Sequence, residues 1–189
     1  MKVTFVVLGS EQLAVSLLAN IAKQNGHEVN LAFCAALFHD RFNLEIPWLN
    51  KYFDDTDNTL SLIKEQQPDL LVFSALTATY QWCLEIARKS KEFLPNVKTV
   101  FGGVHVSAVP ERALKKKEVD FVVVGEGEES FVQIINAIQN NNYTSPIPNT
   151  NYLSPLGEAI IGPKKAFEQN LDRLPPFTKE IFEPYIPVA

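Results

Sequence analysis

The chain has 189 residues, 46% of them hydrophobic and 21% charged, which suits one packed domain with a modest appendage. Its formal net charge of −5 and the lack of a basic stripe argue against a nucleic-acid surface. No apolar run approaches the ~20 residues of a membrane span, and the N-terminus is too short for a signal peptide, so we expect a cytoplasmic location. Cys34 and Cys83 match no metal or redox spacing, and we expect buried thiols.

Strand and helix signals alternate along the first three quarters of the chain. The near-continuous apolar run Val3–Leu8 is typical of a strand covered on both faces, and residues 13–24 follow it with helical spacing. Further strands are predicted over 28–33, 70–73, 98–101 and 119–124, and helices over 60–66, 81–93 and 128–140. This pattern predicts an α/β fold with a doubly wound parallel sheet of five strands in the order 2-1-3-4-5.

Two segments stand outside that pattern. An aromatic-rich stretch, 38–53, contains His39, Trp48 and Tyr52, and it either covers a ligand or a partner domain or packs over the sheet edge. After residue 142 the chain becomes rich in proline, with 8 of the 12 prolines in 143–189. We predict a domain over 1–142 and an extension over 143–189, with a small hairpin near 152–161 and then a linker toward a further domain.

Small and glycine residues follow three of the predicted strands at their carboxyl ends, where parallel sheets bind ligands. Ser74 to Thr79 follows the third strand, and its hydroxyl groups either contact a ligand or cap the next helix. Gly102 and Gly103 follow the fourth strand, and Gly125-Glu126-Gly127 follows the fifth. Glycine lets the backbone approach a ligand closely. We therefore predict that a large ligand lies across these neighbouring strand ends.

Known catalytic and phosphate motifs do not occur in the chain. Glu128 and Glu129 begin the last helix, and two acids at a helix N-terminus disfavour a phosphate there. No P-loop, GxGxxG or nucleophile elbow is present, and no histidine pair has metal-ligand spacing. The residues thus indicate ligand binding without visible catalysis.

The segments FGGVHVSAVPERAL and VDFVVVGEGEESF resemble the B12 (cobalamin)-binding domain that precedes the radical SAM domain of cobalamin-dependent radical SAM enzymes. The resemblance covers roughly 1–142, and the later Leu171-Asp172-Arg173-Leu174-Pro175 resembles the linker to the radical SAM barrel. It implies a flavodoxin-like fold, cobalamin as cofactor and, in the parent protein, a [4Fe–4S] cluster and S-adenosylmethionine.

In that family an S-x-L motif and a GG motif line the cleft for the nucleotide tail of cobalamin, and Ser74-Ala75-Leu76 and Gly102-Gly103 match them. The predicted cofactor-binding residues, all at strand ends, are Gly9, Ser10, Ser74, Leu76, Thr77, Thr79, Gly102, Gly103, Val104, His105, Gly125, Glu126 and Gly127.

The family's D-x-H-x-x-G motif after the first strand is missing. Ser10, Gln12 and Val15 stand where Asp, His and Gly would, so the usual histidine ligand of cobalt is replaced by a glutamine amide, a poor cobalt ligand. The resemblance then implies base-off cobalamin without a histidine from this motif.

The chain also lacks the C-x-x-x-C-x-x-C motif of radical SAM domains. We expect it to carry cofactor without catalysing methyl transfer or radical chemistry alone, beside a radical SAM barrel in the parent protein. Two alternatives remain open: a flavodoxin-like scaffold that has lost cobalamin binding, and an FMN protein, for which the loop at Gly9–Gln12 is short and carries an acid.

Overall fold

The computed structural model describes residues 1–35, 55–154 and 156–185, and the backbone of 39–40 and 44–45. The strands are β1 (Lys2–Leu8), β2 (Glu28–Cys34), β3 (His39–Asp40), β4 (Leu44–Glu45), β5 (Leu70–Ser74), β6 (Lys98–Gly102), β7 (Phe121–Val123), β8 (Thr150–Leu153) and β9 (Ala159–Ile161). The helices are α1 (Leu13–Gln24), α2 (Thr56–Gln66), α3 (Tyr80–Phe93), α4 (Val104–Ala108), α5 (Pro110–Leu114) and α6 (Glu128–Gln139), with 3₁₀ turns at Leu171–Arg173 and Glu183–Tyr185.

The main sheet confirms the predicted α/β fold and strand order. Its strands run β2-β1-β5-β6-β7-β8-β9, and the first five are parallel, so β2, β1, β5, β6 and β7 are the five predicted strands in the order 2-1-3-4-5. After β1 the chain adds β2 on one side of β1 and then returns to add β5 on the other side. The order in which strands are added across the sheet therefore reverses between β1 and β5. This switch point opens a crevice at the carboxyl ends of the strands.

Helices cover both faces of the parallel strands, which explains their continuous apolar sequences. On one face α1 and α6 pack over Phe5, Val72 and Val100. On the other face α2, α3 and α5 pack over residues of opposite orientation, such as Phe73 and Phe101. Neighbouring residues of a strand point to opposite faces, so each strand supplies both cores.

The hairpin predicted near 152–161 is present, and it extends the sheet from five strands to seven. β8 pairs antiparallel with β7, and β9 pairs antiparallel with β8. Burial of Tyr152, whose ring lies 5.3 Å from that of Phe121, joins the hairpin to the core. The count of five strands was therefore too low, because it considered only the strands of the βα units.

The segment beyond the hairpin lies back on the parallel-sheet domain. Phe182 is 1% exposed and meets Phe33 of β2 edge to face, with ring centroids 6.1 Å apart. The Tyr185 hydroxyl donates a hydrogen bond to the carbonyl oxygen of Leu31 at 2.9 Å. A segment that the sequence predicts to be a linker thus has a buried aromatic anchor. The division into a 1–142 domain and a 143–189 extension stays a prediction.

An aspartate ties together the amino ends of β6 and β7, on the edge opposite the crevice. Asp120 Oδ2 accepts hydrogen bonds from the Thr99 amide at 2.8 Å, the Thr99 hydroxyl at 2.9 Å and Lys91 Nζ at 2.7 Å. The Asp120 amide in turn donates to Thr99 Oγ1 at 3.0 Å. Asp120, in the segment VDFVVVGEGEESF, therefore joins two strands and lies at the edge of the sheet opposite the crevice.

Three further expectations concern the rest of the chain. Cys34 and Cys83 are buried thiols that form no disulfide, as predicted. Most of the aromatic segment 38–53 lies outside the described residues, and its two interpretations both remain open. In the part of the chain that the structure describes, no helix is both long and apolar enough to cross a bilayer.

Candidate functional site

A cleft of about 220 Å³ lies at the carboxyl ends of the parallel strands, between α1 and α6. Its lining is mostly apolar, with glycines and two acids toward the rim. The lining residues are Phe5, Ala14, Val15, Leu18, Val72, Phe73, Ser74, Val100, Gly102, Gly103, Val123, Gly125, Glu126, Gly127, Glu128 and Phe131. Binding sites that enclose a whole small molecule usually exceed ~300 Å³. The cleft therefore admits one narrow part of a larger ligand.

The paired glycines shape the wall of this cleft beside β5. Ser74 and Gly102 are direct partners in the parallel ladder, and the Ala75 amide donates to the Gly102 carbonyl oxygen at 2.8 Å. Gly103 has a φ of +94°, and a Cβ there would lie 2.8 Å from the Ala75 carbonyl oxygen. A Cβ on Gly102 would meet nothing nearer than 4.0 Å. Gly103 is thus required by the fold, and Gly102 keeps the cleft open.

The Gly125–Gly127 turn forms the rim above β7. Gly125 adopts a φ of +79°, and its amide donates to the Ser107 hydroxyl of α4 at 3.1 Å. Glu126 turns toward the C-terminal segment, where its Oε2 accepts the Glu168 amide at 2.8 Å. The turn is therefore fixed by hydrogen bonds from both sides.

The other predicted residues after β5 and β6 form a group beside the cleft without lining it. His105 Nδ1 lies 3.2 Å from Thr77 Oγ1, and the imidazole packs on the Tyr80 ring with centroids 4.1 Å apart. Burial, and next the charge of Glu118, raise the pKa of Tyr80 above its ordinary value of 10.0. The Thr79 hydroxyl accepts the Leu76 amide at 3.1 Å and so closes the turn before α3.

The loop after β1 approaches the same edge. Gly9 and Ser10 are exposed there, and the Gly9 amide donates to the Cys34 carbonyl oxygen at 2.8 Å. Gln12 precedes α1, and its carbonyl oxygen accepts the amides of Val15 and Ser16 at 3.0 and 3.2 Å. Position 12 therefore begins the helix that forms one wall of the cleft.

Three exposed aliphatic side chains follow parallel strands at the edge of the sheet where the cleft lies. Leu13 at the start of α1 is 69% exposed, Leu76 after β5 is 47% exposed, and Val104 after β6 is 66% exposed. Each follows a parallel strand at the same edge of the sheet. Large apolar side chains grouped at one edge mark an interaction surface.

Ten of the 16 residues that line the cleft were not predicted as site residues. The predicted residues that do line the cleft are Ser74, Gly102, Gly103 and the 125–127 turn. The residues of the α1 wall and Phe131 of α6 were not predicted. Val15 stands where the family's motif has its glycine, which was the available signal for this wall, whereas Leu18 was visible only as part of an amphipathic helix. Among the side chains that the structure describes, no three His, Cys, Asp or Glu are grouped as a metal site would need.

Comparison with known protein families shows which family has this arrangement. Residues 10–135 match the model of the B12 binding domain, which is more than half of the chain. The chain belongs to the B12-binding domain family. The resemblance drawn from the FGGVH and VVVGEGEE segments is thereby confirmed, and the matched range contains every predicted site residue except Gly9.

Curated relatives of this B12-binding domain are larger proteins. An uncharacterized methyltransferase of Pyrococcus horikoshii is 25% identical over 178 residues, which are 93% of this chain and 37% of the relative. The cobalamin-dependent radical SAM methyltransferase TokK of Streptomyces tokunonensis is 32% identical over 101 residues, covering 52% of this chain and 14% of TokK. The chain thus spans well under half the length of these relatives.

Solved structures share the fold. The apo form of the cobalamin-dependent S-adenosylmethionine radical enzyme OxsB superposes with a TM-score of 0.72 at 15% identity, over 98% of this chain and 25% of OxsB. The radical S-adenosylmethionine methyltransferase TsrM from Kitasatospora setae, with cobalamin and a [4Fe–4S] cluster bound, gives a TM-score of 0.65 at 18% identity, over 93% of this chain and 31% of TsrM. These likenesses confirm the flavodoxin-like fold of the B12-binding domain.

Proposed function

We propose that the chain binds cobalamin with its nucleotide tail in the cleft between α1 and α6 and its corrin ring on the edge above. The observation that carries this proposal is the open cleft wall at Gly102, beside the family's S-x-L segment at Ser74–Leu76. An apolar slot of about 220 Å³ fits the flat, bicyclic base of the tail and leaves the larger corrin outside.

The edge above the cleft fits the corrin ring. Leu13, Leu76 and Val104 offer apolar contact at this edge. The turn residues Thr77 and His105 place a hydroxyl and an imidazole at the same edge, where they can bond the amide groups around the ring. When bound, cobalamin supplies a cobalt that can accept and donate a methyl group.

We further propose base-off binding without a histidine ligand from the loop after β1. Gln12 stands at the position of the family's histidine, and its backbone is committed to the first turn of α1. Its amide is a weak ligand for cobalt compared with an imidazole. Co(II)-cobalamin bound to the chain is therefore expected to give an EPR spectrum without nitrogen superhyperfine splitting, and the appearance of that splitting would overturn this part of the proposal.

In its parent protein the domain would carry cobalamin beside a radical SAM domain that holds a [4Fe–4S] cluster and S-adenosylmethionine. The radical SAM names of TokK, OxsB and TsrM support this proposal, as does the partial coverage of each. The chain alone would bind cofactor without turning over substrate. We keep the cytoplasmic location as an expectation drawn from the sequence.

Titration with hydroxocobalamin, followed by visible absorbance, tests the central proposal. We expect a saturable change of the cobalamin spectrum at one equivalent. A flat titration would favour the alternative of a flavodoxin-like scaffold that has lost cobalamin binding. Gly102→Val serves as the matched variant, because its side chain would enter the cleft while Gly102 itself has no close neighbour.

A further inference from the structure

The C-terminal segment 163–185, here called the strap, contacts both walls of the cleft. At the α6 wall the Lys165 amide donates to Asn149 Oδ1 at 2.8 Å, and the Glu168 amide donates to Glu126 Oε2 at 2.8 Å. The Lys165 ammonium also pairs with the carboxylate of Glu129 in the first turn of α6. The strap therefore holds the start of α6 and the turn before it.

Asn149 connects the strap to the rim of the cleft. The side-chain Nδ2 of Asn149 donates to the Glu126 backbone carbonyl oxygen at 3.1 Å, and the backbone carbonyl oxygen of Asn149 accepts the Val124 amide at 2.7 Å. Asn149 has a φ of +54°, a left-handed conformation that asparagine tolerates better than most residues. The Gly125–Gly127 turn is thus joined to the strap through the Asn149 side chain as well as through that of Glu126.

The same strap crosses α1, which forms the opposite wall. Asn20 Nδ2 donates to the Pro176 carbonyl oxygen at 2.8 Å and to Thr178 Oγ1 at 3.0 Å. Lys179 pairs with Glu11, just before the helix, at 2.9 Å. The buried ring of Phe182 then anchors the end of the strap among residues of the same core as Val15.

We propose that the strap braces the two walls of the cleft and thereby strengthens binding of the ligand part that enters between them. This inference rests on the proposed function, so that ligand part is the nucleotide tail of cobalamin. Walls held at their bound separation before the ligand arrives lower the ordering cost of binding. Because coupling between two sites is reciprocal, bound cobalamin also stabilises the docked strap.

The first test removes strap contacts that lie outside the cleft. In the double variant Thr178→Val and Lys165→Ala, the strap loses its hydroxyl bond to Asn20 and its ion pair with Glu129, while the Phe182 anchor stays. We expect the Kd for cobalamin to rise about fivefold, the size of one lost hydrogen bond. The matched control Thr178→Ser with Lys165→Arg keeps both groups and should bind like the unsubstituted chain.

Cobinamide, which has the corrin ring but lacks the nucleotide tail, separates bracing from general damage. The double variant should bind cobinamide as the unsubstituted chain does, because the tail cleft is not used. An unchanged Kd for cobalamin would overturn the inference, as would an equal loss of affinity for both ligands. If the unsubstituted chain binds no cobalamin, the proposed function fails and this inference fails with it.

Hydrogen exchange tests the reciprocal effect in the unsubstituted chain and needs no variant to fold. The amides of Lys165 and Glu168 report on the docked strap, because each donates to a side chain at the rim. Saturating cobalamin should slow their exchange about fivefold, as reciprocity requires. Exchange rates that are the same with and without cobalamin would overturn the inference even where cobalamin binds normally.

Discussion

Gly103 packs directly against the backbone of Ala75, and the His105 amide donates to the Ala75 carbonyl oxygen at 3.2 Å. This contact brings the turns after β5 and β6 together beneath the cleft. It also separates two glycines that look equivalent in the sequence, since a Cβ at Gly103 would meet Ala75 backbone at 2.8 Å whereas a Cβ at Gly102 has room.

Substitutions of the two glycines are therefore expected to have different effects, one on stability and the other on cobalamin binding. Gly103→Ala should lower the free energy of unfolding by about 1–3 kcal/mol, because it combines a backbone clash with a left-handed φ. Gly102→Ala should change stability by less than about 1 kcal/mol and weaken cobalamin binding, because its methyl narrows the cleft. Urea unfolding and a cobalamin titration measure the two effects. Equal stabilities of the two variants would contradict this assignment.

Asp120 should matter for stability and not for ligand binding. Asp120→Ala leaves the Thr99 amide without its acceptor, while the Thr99 hydroxyl keeps the Glu118 carbonyl oxygen at 2.6 Å. We expect a loss of about 1–3 kcal/mol in the free energy of unfolding. Cobalamin affinity should stay within about twofold, because Asp120 lies at the opposite edge of the sheet from the cleft. The exposed Asp172→Asn is a suitable control for urea unfolding. A selective loss of cobalamin affinity would refute this structural role.

Two phenylalanines of the strap differ in burial, so their removal should change the free energy of unfolding by different amounts. Phe182 is 1% exposed and Phe177 is 58% exposed. Phe182→Ala should cost about 3 kcal/mol of unfolding free energy, as expected for an aromatic ring removed from a core. Phe177→Ala should cost less than about 0.5 kcal/mol. Comparable losses, measured by urea unfolding, would mean that the strap is not docked through Phe182.

Because the Cys83 thiol is buried, we predict that the free energy of unfolding depends on pH. Burial raises the pKa of its thiol from 9.0 to about 12, even though a hydrogen bond with the Thr79 side chain acts in the opposite direction. Between these values the unfolded chain loses a proton that the folded chain keeps, so the free energy of unfolding falls as pH rises. The contribution of the protonated Cys83 thiol to the free energy of unfolding is fully present below pH 9. Above pH 9 the free energy of unfolding falls by about 1.4 kcal/mol per pH unit because of this thiol.

The comparison of unsubstituted chain and Cys83→Ala isolates this thiol from the tyrosines. Burial also raises the pKa values of Tyr80, Tyr143, Tyr152 and Tyr185, and these groups titrate in both proteins. The stability difference between the two proteins should therefore be constant below pH 9 and shrink by pH 10. Urea unfolding at pH 8, 9 and 10 measures it, and a constant difference would show that Cys83 titrates normally.

Local sequence was sufficient for the central sheet. Alternation of apolar strands with amphipathic helices predicted the order of β2, β1, β5, β6 and β7, because right-handed crossovers leave few topologies. The helical spacing of residues 13–24 likewise predicted α1, which ends at Gln24 before Asn25. The hairpin was predicted from two short apolar runs on either side of a turn at 155–157. Its place beside β7 was not predicted, since antiparallel pairing of β8 depends on long-range burial of Tyr152.

Family motifs in the sequence determined the kind of protein. The Gly102-Gly103 and Gly125–Gly127 turns with their flanking strands are compact, local patterns, so they survive at low overall identity and identify a B12-binding domain. Ser74, Gly102 and Gly103 could be placed together because neighbouring parallel strands end at one edge.

Only the tertiary structure decided what encloses the cleft and what holds it. The α1 wall and Phe131 enclose the cleft and the strap crosses its walls, and the hydrogen bond between Asn20 and Thr178 joins residues 158 positions apart. No local pattern encodes such a contact, because Thr178 in a proline-rich segment has the same local chemistry whether the segment is free or docked. The sequence determined the fold of a B12-binding domain, and long-range packing of Phe182 and its neighbours decided that the C-terminal segment docks against it.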